Sequence, residues 1–197
     1  IAPEYRQATW EVSEKTGHLI HGYGTGWILG SARKVLITNN HVLPLREAAR
    51  GAMIEFGYER TFYHGTRARY NTKLRPDHLF LTDPNMAFGG LDYTVVALSR
   101  PAPEEFGYLD AFQGITANNA LNIYIVQHPG GSGKAYVLNH NSKVNLPDRY
   151  VTYVSDTLEG SSGSPLFNDE GDLVGIHHLG NYEAKIGTKT QTDPPWK

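Results

Sequence analysis

The strongest constraint on the fold is a short word that recurs along the chain. It is a run of residues rich in Val, Ile, Tyr and Thr, closed off by Gly, Pro, Asn or Asp. It appears as GWIL at 26–29, KVLIT at 34–38, AMIEF at 52–56, YTVVAL at 93–98, LNIYIV at 121–126, KAYVL at 134–138, YVTYV at 150–154 and DLVGI at 172–176. Helices need longer stretches with an apolar residue every three or four positions. Short β-branched and aromatic runs between turn residues read as strands, and many of them in one chain read as an all-β sandwich or barrel. Only PLREAAR at 44–50 has helical character, with Pro44 suited to a first helical position and Gly51 to a stop. GSARK at 30–34 and NDEGD at 168–172 read as hairpin turns, because Gly, Asn and Asp tolerate positive φ. The stretch SRPAPEEFGYLDAFQGITANN at 99–119 breaks the strand rhythm. It puts a boundary between two β units near residue 115, with the first unit over 1–115 and the second over 116–197.

Composition narrows the function classes. A chain of 197 residues that is 40% hydrophobic can bury a core. Its net charge of −2 offers no cationic footprint for nucleic acid or for an anionic membrane, so the expected partners are proteins or small molecules. The lack of cysteine excludes disulfides, thiolate metal sites and a cysteine nucleophile together. No stretch approaches the roughly 20 apolar residues of a transmembrane helix, and no secretory signal is visible, which leaves cytoplasm and secretion both open. The chain starts at Ile1, which reads as a processed product or an excised piece.

Chemistry is concentrated in EGSSGSPLF at 159–167, where three serines stand within four positions. A nucleophilic serine needs a base, a group that orients the base, and donors for the oxyanion. In a tight GSSGSP turn, Gly160 lets the backbone approach a substrate and offers its N–H. Ser162, two residues on, supplies a hydroxyl and a second N–H. The nucleophile elbow G-x-S-x-G would need glycine where Ser164 stands, with an acid and a histidine well downstream, and it fails on both counts. An isolated Gly-Ser-Ser-Gly-Ser is ordinarily a flexible turn, so the other two groups decide the matter. His41 closes the apolar run in VLITNNHVL, and Asp92 opens the run in GGLDYTVVAL. Taken singly, each has a bland explanation as a half-buried histidine or a strand-start carboxylate. A carboxylate at the mouth of an apolar strand nevertheless calls for a partner such as an imidazole N–H.

Together, in the order His41, Asp92, Ser162, the three resemble the triad of trypsin-like (chymotrypsin-fold) serine proteases, and in particular the bacterial glutamyl endopeptidases and HtrA-type proteases. The matching stretches are GTGWIL at 24–29, ITNNHV at 37–42, LDYTVVAL at 91–98, QHPGG at 127–131, GSSGSP at 160–165 and DLVGIHH at 172–178. The resemblance implies two antiparallel six-stranded β-barrels with the active site in the cleft between them, and a protein or peptide substrate. His41 and Asp92 would come from the first barrel and Ser162 from the second. His41 would serve as base and then acid, Asp92 would orient it, and the N–H groups of Gly160 and Ser162 would form the oxyanion hole. No cofactor is called for. His177 and His178 are neighbours on a strand and point to opposite faces, so a shared metal is not expected. His128 reads as a turn-anchoring residue.

Departures from the family matter too. Animal digestive relatives carry aspartate just before the nucleophile, paired with a newly cut amino terminus. Here that position is Ser161, so Ile1 has no such partner. The resemblance puts Asp156 either at the base of the specificity pocket, which favours Lys or Arg in the substrate, or in a structural role, as Asp-Thr before the serine loop has in bacterial relatives. It also puts Thr157 and His177 where glutamyl endopeptidases grip an acidic side chain. The two signals oppose each other, with a slight lean to basic residues. The tail NYEAKIGTKTQTDPPWK at 181–197 lacks the strand and terminal helix of the relatives, so the second barrel looks unfinished. A companion C-terminal segment, or a regulatory domain or partner chain, is expected to complete it. Two rival functions share the same fold: a catalytically silent peptide-binding module and an esterase.

Overall fold

The computed structural model describes residues 6–13, 19–60, 66–67, 70–84, 90–110, 121–145, 150–153 and 156–178. The proposed boundary near residue 115, Ile1 and the tail at 179–197 lie outside the described residues.

Among the described residues fourteen strands and one short α-helix follow one another: β1 (Arg6–Ser13), β2 (Leu19–Leu29), β3 (Val35–Thr38), α1 (Arg46–Gly51), β4 (Met53–Phe56), β5 (Glu59–Arg60), β6 (Thr66–Arg67), β7 (Tyr70–Lys73), β8 (Phe80–Asp83), β9 (Tyr93–Ala97), β10 (Leu121–Gln127), β11 (Ala135–Asn145), β12 (Tyr150–Thr152), β13 (Pro165–Phe167) and β14 (Leu173–Ile176). Each of the eight expected strand runs falls on one of these strands. The helix starts at Arg46 rather than Pro44, because Leu45 is extended at φ −134° and serves as its N-cap, while Gly51 is the last helical residue. Both expected hairpin turns form. Gly30 and Arg33 take positive φ between β2 and β3, and Gly171 does so between β13 and β14.

The first sheet runs β7-β4-β1-β2-β3-β9-β8, all antiparallel. Its two edges are the two ends of one interrupted strand. Beyond β7, Leu74 bridges Leu98, and Arg75 N–H donates to the Ala97 carbonyl at 2.7 Å. Ala97 N–H then donates to Leu79 at 3.1 Å, and Phe80 of β8 pairs with Val96. The corner at 75–79 therefore bulges out opposite Ala97, and β7 with β8 counts as a single sixth strand. Closure leaves no free edge, which is how barrels suppress edge pairing. The second sheet runs β12-β11-β10-β13-β14 among the described residues.

Alternation along the strands points one face inward, as in β3 and β9, where every second residue is buried. Ile28, Leu36, Leu43, Ile54, Phe56, Val96 and Phe106 fill the first barrel. Ile123, Ile125, Leu166 and Val174 fill the second. A third cluster of Trp27, Leu109, Val126 and Phe167 joins side chains of both barrels. The junction also holds Lys134, whose ammonium is 2.6 Å from Glu59 and whose side chain is 3% exposed. A cation so withdrawn from water needs a partner of this kind. No helix among the described residues is long and apolar enough to cross a membrane. Phe56 is fully buried against Tyr70 and Phe106. Phe56→Ala is expected to lower the stability of the protein by about 3–5 kcal/mol in chemical denaturation, the usual loss for an emptied aromatic site.

Candidate active site

The first half of the site is built where β3 ends. Thr38 is its last residue, and the next three deliver Asn39, Asn40 and His41. Asn39 is buried and donates through Nδ2 to the backbone carbonyl of Asp92 at 2.8 Å. Asp92 precedes β9 with φ 57°, a left-handed value that aspartate adopts more readily than most residues. Its N–H donates to the Pro84 carbonyl at 2.9 Å, so the turn is held from both sides. This aims the carboxylate at His41. Oδ1 accepts the His41 backbone N–H at 3.0 Å, and Oδ2 lies 2.7 Å from His41 Nδ1.

Asp92 is 1% exposed, whereas His41 is 35% exposed. Burial alone would raise the carboxyl pKa. Hydrogen bonding to the imidazoles of His178 and His41, and to the His41 N–H, outweighs it and holds the pKa at about 2. Asp92 is therefore an anion at ordinary pH. An ionised carboxylate only accepts hydrogen bonds, so Nδ1 of His41 carries its proton and Nε2 is left with a lone pair.

The second half is the turn at 160–164. Thr25 of β2 pins it: its N–H donates to the Ser162 carbonyl at 2.8 Å, and its hydroxyl donates to the Gly160 carbonyl at 2.8 Å. The same hydroxyl accepts the His128 N–H at 3.2 Å, while Thr38 Oγ1 donates to the Thr25 carbonyl at 2.7 Å. The approach is too close for side chains. A Cβ on Gly163, at φ 90°, would lie 2.0 Å from the Thr25 oxygen. One on Gly160, at φ 94°, would lie 2.7 Å from the His128 oxygen.

Within this turn the three serines differ. Ser161 and Ser164 are fully buried. Ser164 Oγ donates to the Ser161 carbonyl at 2.6 Å, and Ser161 Oγ accepts the Leu158 N–H at 3.3 Å. Ser162 alone of the three is half-exposed. The Glu159 carbonyl accepts the Gly130 N–H of the QHPGG turn at 2.6 Å. In a trans peptide the C=O and N–H point opposite ways, so this bond turns the Gly160 N–H away from that turn. Among the described residues neither the Gly160 nor the Ser162 N–H has an acceptor within the chain.

A second bridge ties the two halves together. Gly163 N–H donates to the His177 carbonyl at 2.8 Å, and the next residue, His178, brings Nδ1 to 3.5 Å from Asp92 Oδ2. His177 turns the other way and is 5% exposed. Its Nδ1 lies 2.5 Å from the Tyr153 hydroxyl. Burial first, then the neighbouring His178 and His41, lowers its pKa to about 4. Burial also raises the Tyr153 pKa, so the phenol keeps its proton and donates it to Nδ1. The proton of the neutral His177 ring then sits on Nε2. Thr157 is half-buried, and the side chain of Asp156 is exposed, with its carbonyl held by Gln127 Nε2 at 2.9 Å. His128 is fully buried, with Nδ1 3.0 Å from the Ser132 carbonyl, which anchors the QHPGG turn.

Comparison with known proteins agrees with this architecture. Residues 24–176 match the family described as a trypsin-like peptidase domain. The chain belongs to the trypsin-like peptidase family. It is 35% identical over 173 residues to the protein y4fB of Sinorhizobium fredii, covering 80% of this chain and 25% of that one. It is 28% identical over 177 residues to the secreted RxLR effector protein 73 of Plasmopara viticola, covering 79% of this chain and 41% of that one. It thus spans well under half the length of these relatives. The fold resembles the active form of the Rv3671c protease from M. tuberculosis, with TM-score 0.60 and 15% identity over 91% of this chain and 71% of that one.

Several residues that shape this candidate site carry no obvious signal in sequence. Thr25, Asn39, Gly130 and His178 all lie inside the stretches that resemble the family, yet their roles depend on partners far away in the chain. His177 and His178 follow β14, which ends at Ile176, rather than lying on the strand as expected, and they still face different partners, His177 meeting Tyr153 and His178 approaching Asp92.

Two predictions follow from these contacts. Thr25→Val keeps the shape of the side chain but strands the Gly160 carbonyl and the His128 N–H. It is expected to lower stability by about 1–3 kcal/mol, whereas Thr25→Ser should restore most of it in the same denaturation series. The native state also keeps His177 neutral, while the unfolded chain takes up a proton below the ordinary 6.5. Stability contributed by His177 is therefore present above that pH and is lost as pH falls towards about 4. For Asp92 the corresponding loss runs from the ordinary 3.8 down to about 2. Unfolding midpoints measured against pH should flatten in the first window for His177→Gln and in the second for Asp92→Asn.

Proposed function

We propose that the protein is a serine endopeptidase with Ser162 as nucleophile, His41 as general base and acid, and Asp92 as the group that orients His41. The observation that carries this is the 2.7 Å contact of buried Asp92 with part-exposed His41, linked to the turn that holds Ser162 by the Gly163 N–H on the His177 carbonyl and the 3.5 Å approach of His178 to Asp92. In this mechanism Nε2 of His41 takes the Ser162 proton as Oγ attacks a peptide carbonyl. It then hands that proton to the leaving amine, and water repeats the cycle on the acyl-enzyme. The N–H groups of Gly160 and Ser162 receive the oxyanion, each supplying about 2.7–4 kcal/mol of barrier reduction. Burial and bonds within their own turn argue against Ser161 and Ser164.

Two pocket readings remain, and each has an observation behind it. Recognition of an acidic side chain is supported by His177, a buried imidazole whose Nε2–H is a ready donor to a carboxylate. Recognition of Lys or Arg rests on Asp156. Its exposure weakens the attraction, because charges in water are screened. We favour the acidic reading, and cleavage of a peptide library decides between them.

Three variants test the chemistry. Ser162→Ala should abolish labelling by an organophosphorus probe together with peptide cleavage, while Ser161→Ala and Ser164→Ala keep both. Asp92→Asn should lower kcat by about 10⁴-fold through the wrong histidine tautomer. A native protein that takes up no probe and cleaves no peptide would instead be a silent binding module. One that takes up the probe and hydrolyses only small esters would be an esterase.

A further inference from the structure

Where β8 runs out, three consecutive residues grip both segments that carry His41 and Asp92. Thr82 Oγ1 accepts a proton of Asn40 Nδ2 at 2.7 Å. Asp83 Oδ2 accepts the Leu91 N–H at 2.6 Å, and the Pro84 carbonyl accepts the Asp92 N–H at 2.9 Å. The fit is close, since a Cβ on Gly90 would lie 1.9 Å from the Pro84 oxygen. Asn40 and Leu91 are the chain neighbours of His41 and Asp92. From Thr82 the bonding also runs inward. Its oxygen lies 2.7 Å from Thr94 Oγ1, and the Thr94 hydroxyl donates to the Leu43 carbonyl at 2.9 Å. Thr94 and Leu43 are fully buried. A carbonyl only accepts, so the Thr94 proton is committed to Leu43. Thr82 therefore gives its own proton to Thr94, the nearer of two acceptors, the other being the Tyr93 carbonyl at 3.2 Å. The result is a one-way chain from Asn40 through Thr82 and Thr94 to Leu43, which brackets His41 on both sides. Bonds linked in this way polarise and strengthen one another.

We propose that Thr82 and Thr94 are positioning residues of the peptidase site: their hydroxyl chain clamps the backbone on both sides of His41 to the strands that present Asp92. The proposal rests on the triad reading above. The His41 side chain is 35% exposed, so packing confines only part of it and the backbone beneath has to supply the rest of its rigidity. Asp92 fixes the ring at Nδ1, and the chain fixes the turn from which the ring projects. The two links differ in weight. The Asn40 bond to Thr82 faces water, which can replace either partner, whereas the Thr94 bond to Leu43 is dry and has no substitute. All four members of the chain belong to the first barrel, while Ser162 and His177 belong to the second. Loosening the chain therefore moves the base relative to Ser162 and leaves the groups that would grip a substrate side chain where they are. Its signature is a loss in kcat with KM preserved.

The test measures steady-state peptide cleavage by the native protein and by Thr94→Val, Thr94→Ser and Thr82→Val. Valine keeps the shape of threonine without the hydroxyl, and serine keeps the hydroxyl without the methyl. At a temperature where each variant is folded, Thr94→Val should lower kcat by about 10²-fold, the scale of a group displaced by about 1 Å, with KM within a few-fold. Thr94→Ser should bring kcat back to within a few-fold of the native value. Thr82→Val, on the surface, should lower kcat in the same sense but by less, because water can serve the Asn40 amide there. In an active native protein, an unchanged kcat for either valine variant, or a loss that Thr94→Ser does not restore, would overturn the proposal and leave the triad reading intact. If Thr94→Val does not fold, Thr82→Val decides alone. Chemical unfolding of the two valine variants and of their double variant reads the chain without any chemistry. Non-additive midpoints in a protein that takes up no organophosphorus probe would mean that the triad reading had failed, and the positioning role with it, while the chain itself stood. Additive midpoints would overturn the chain.

Discussion

The structure depends on one close approach, that of β2 to the turn at 160–164. Thr25 spends its N–H and its hydroxyl there, on the Ser162 and Gly160 carbonyls, while its own carbonyl is held by the Thr38 hydroxyl of β3. Gly163 has no room for a Cβ at that contact. The demand is purely spatial: two barrels must come within backbone hydrogen-bonding distance, and only glycine on one side and a small hydroxyl residue on the other allow it. Most of the inter-barrel order follows. The QHPGG turn is drawn in through the His128 N–H, and the Gly160 peptide is oriented through the Glu159 carbonyl.

Electrostatics supplies the second constraint. A carboxylate with 1% exposure is tolerated only because donors surround it. Two come from His41, in the first barrel, and His178, in the second, stands 3.5 Å from the same carboxylate. Besides the apolar cluster and the Lys134–Glu59 pair, the barrels therefore meet at two polar places of different character. One is a set of neutral backbone bonds around Thr25, and the other is a charged cluster around Asp92. His177, only one residue from His178, lies in a dry environment that keeps it neutral. Adjacent residues thus face opposite electrostatic settings, one beside an anion and the other beside a phenol.

Much of the fold was legible before any coordinates. The eight apolar runs became strands because β-branched and aromatic side chains suit a half-buried pleated surface. Other strands escaped notice. β1, RQATWEVS, has too few apolar residues to stand out, and β13, PLF, is too short for any period to show. The first barrel was expected to hold six strands, and it does so once β7 and β8 are taken as one strand broken by the bulge at 75–79. That interruption arises from a long-range pairing with Ala97, which no local pattern announces.

The sequence by itself determined the strand-rich architecture, the family and the chemical types gathered at the site, because side-chain size, branching and glycine placement act locally and leave a periodic or motif signature. Only the tertiary structure decided which serine is accessible, that Asp156 faces solvent while His177 is buried, and that His178 joins Asp92. Burial and partner choice are properties of pairs that lie far apart along the chain. They exist only once the barrels have packed against each other and excluded water from between them.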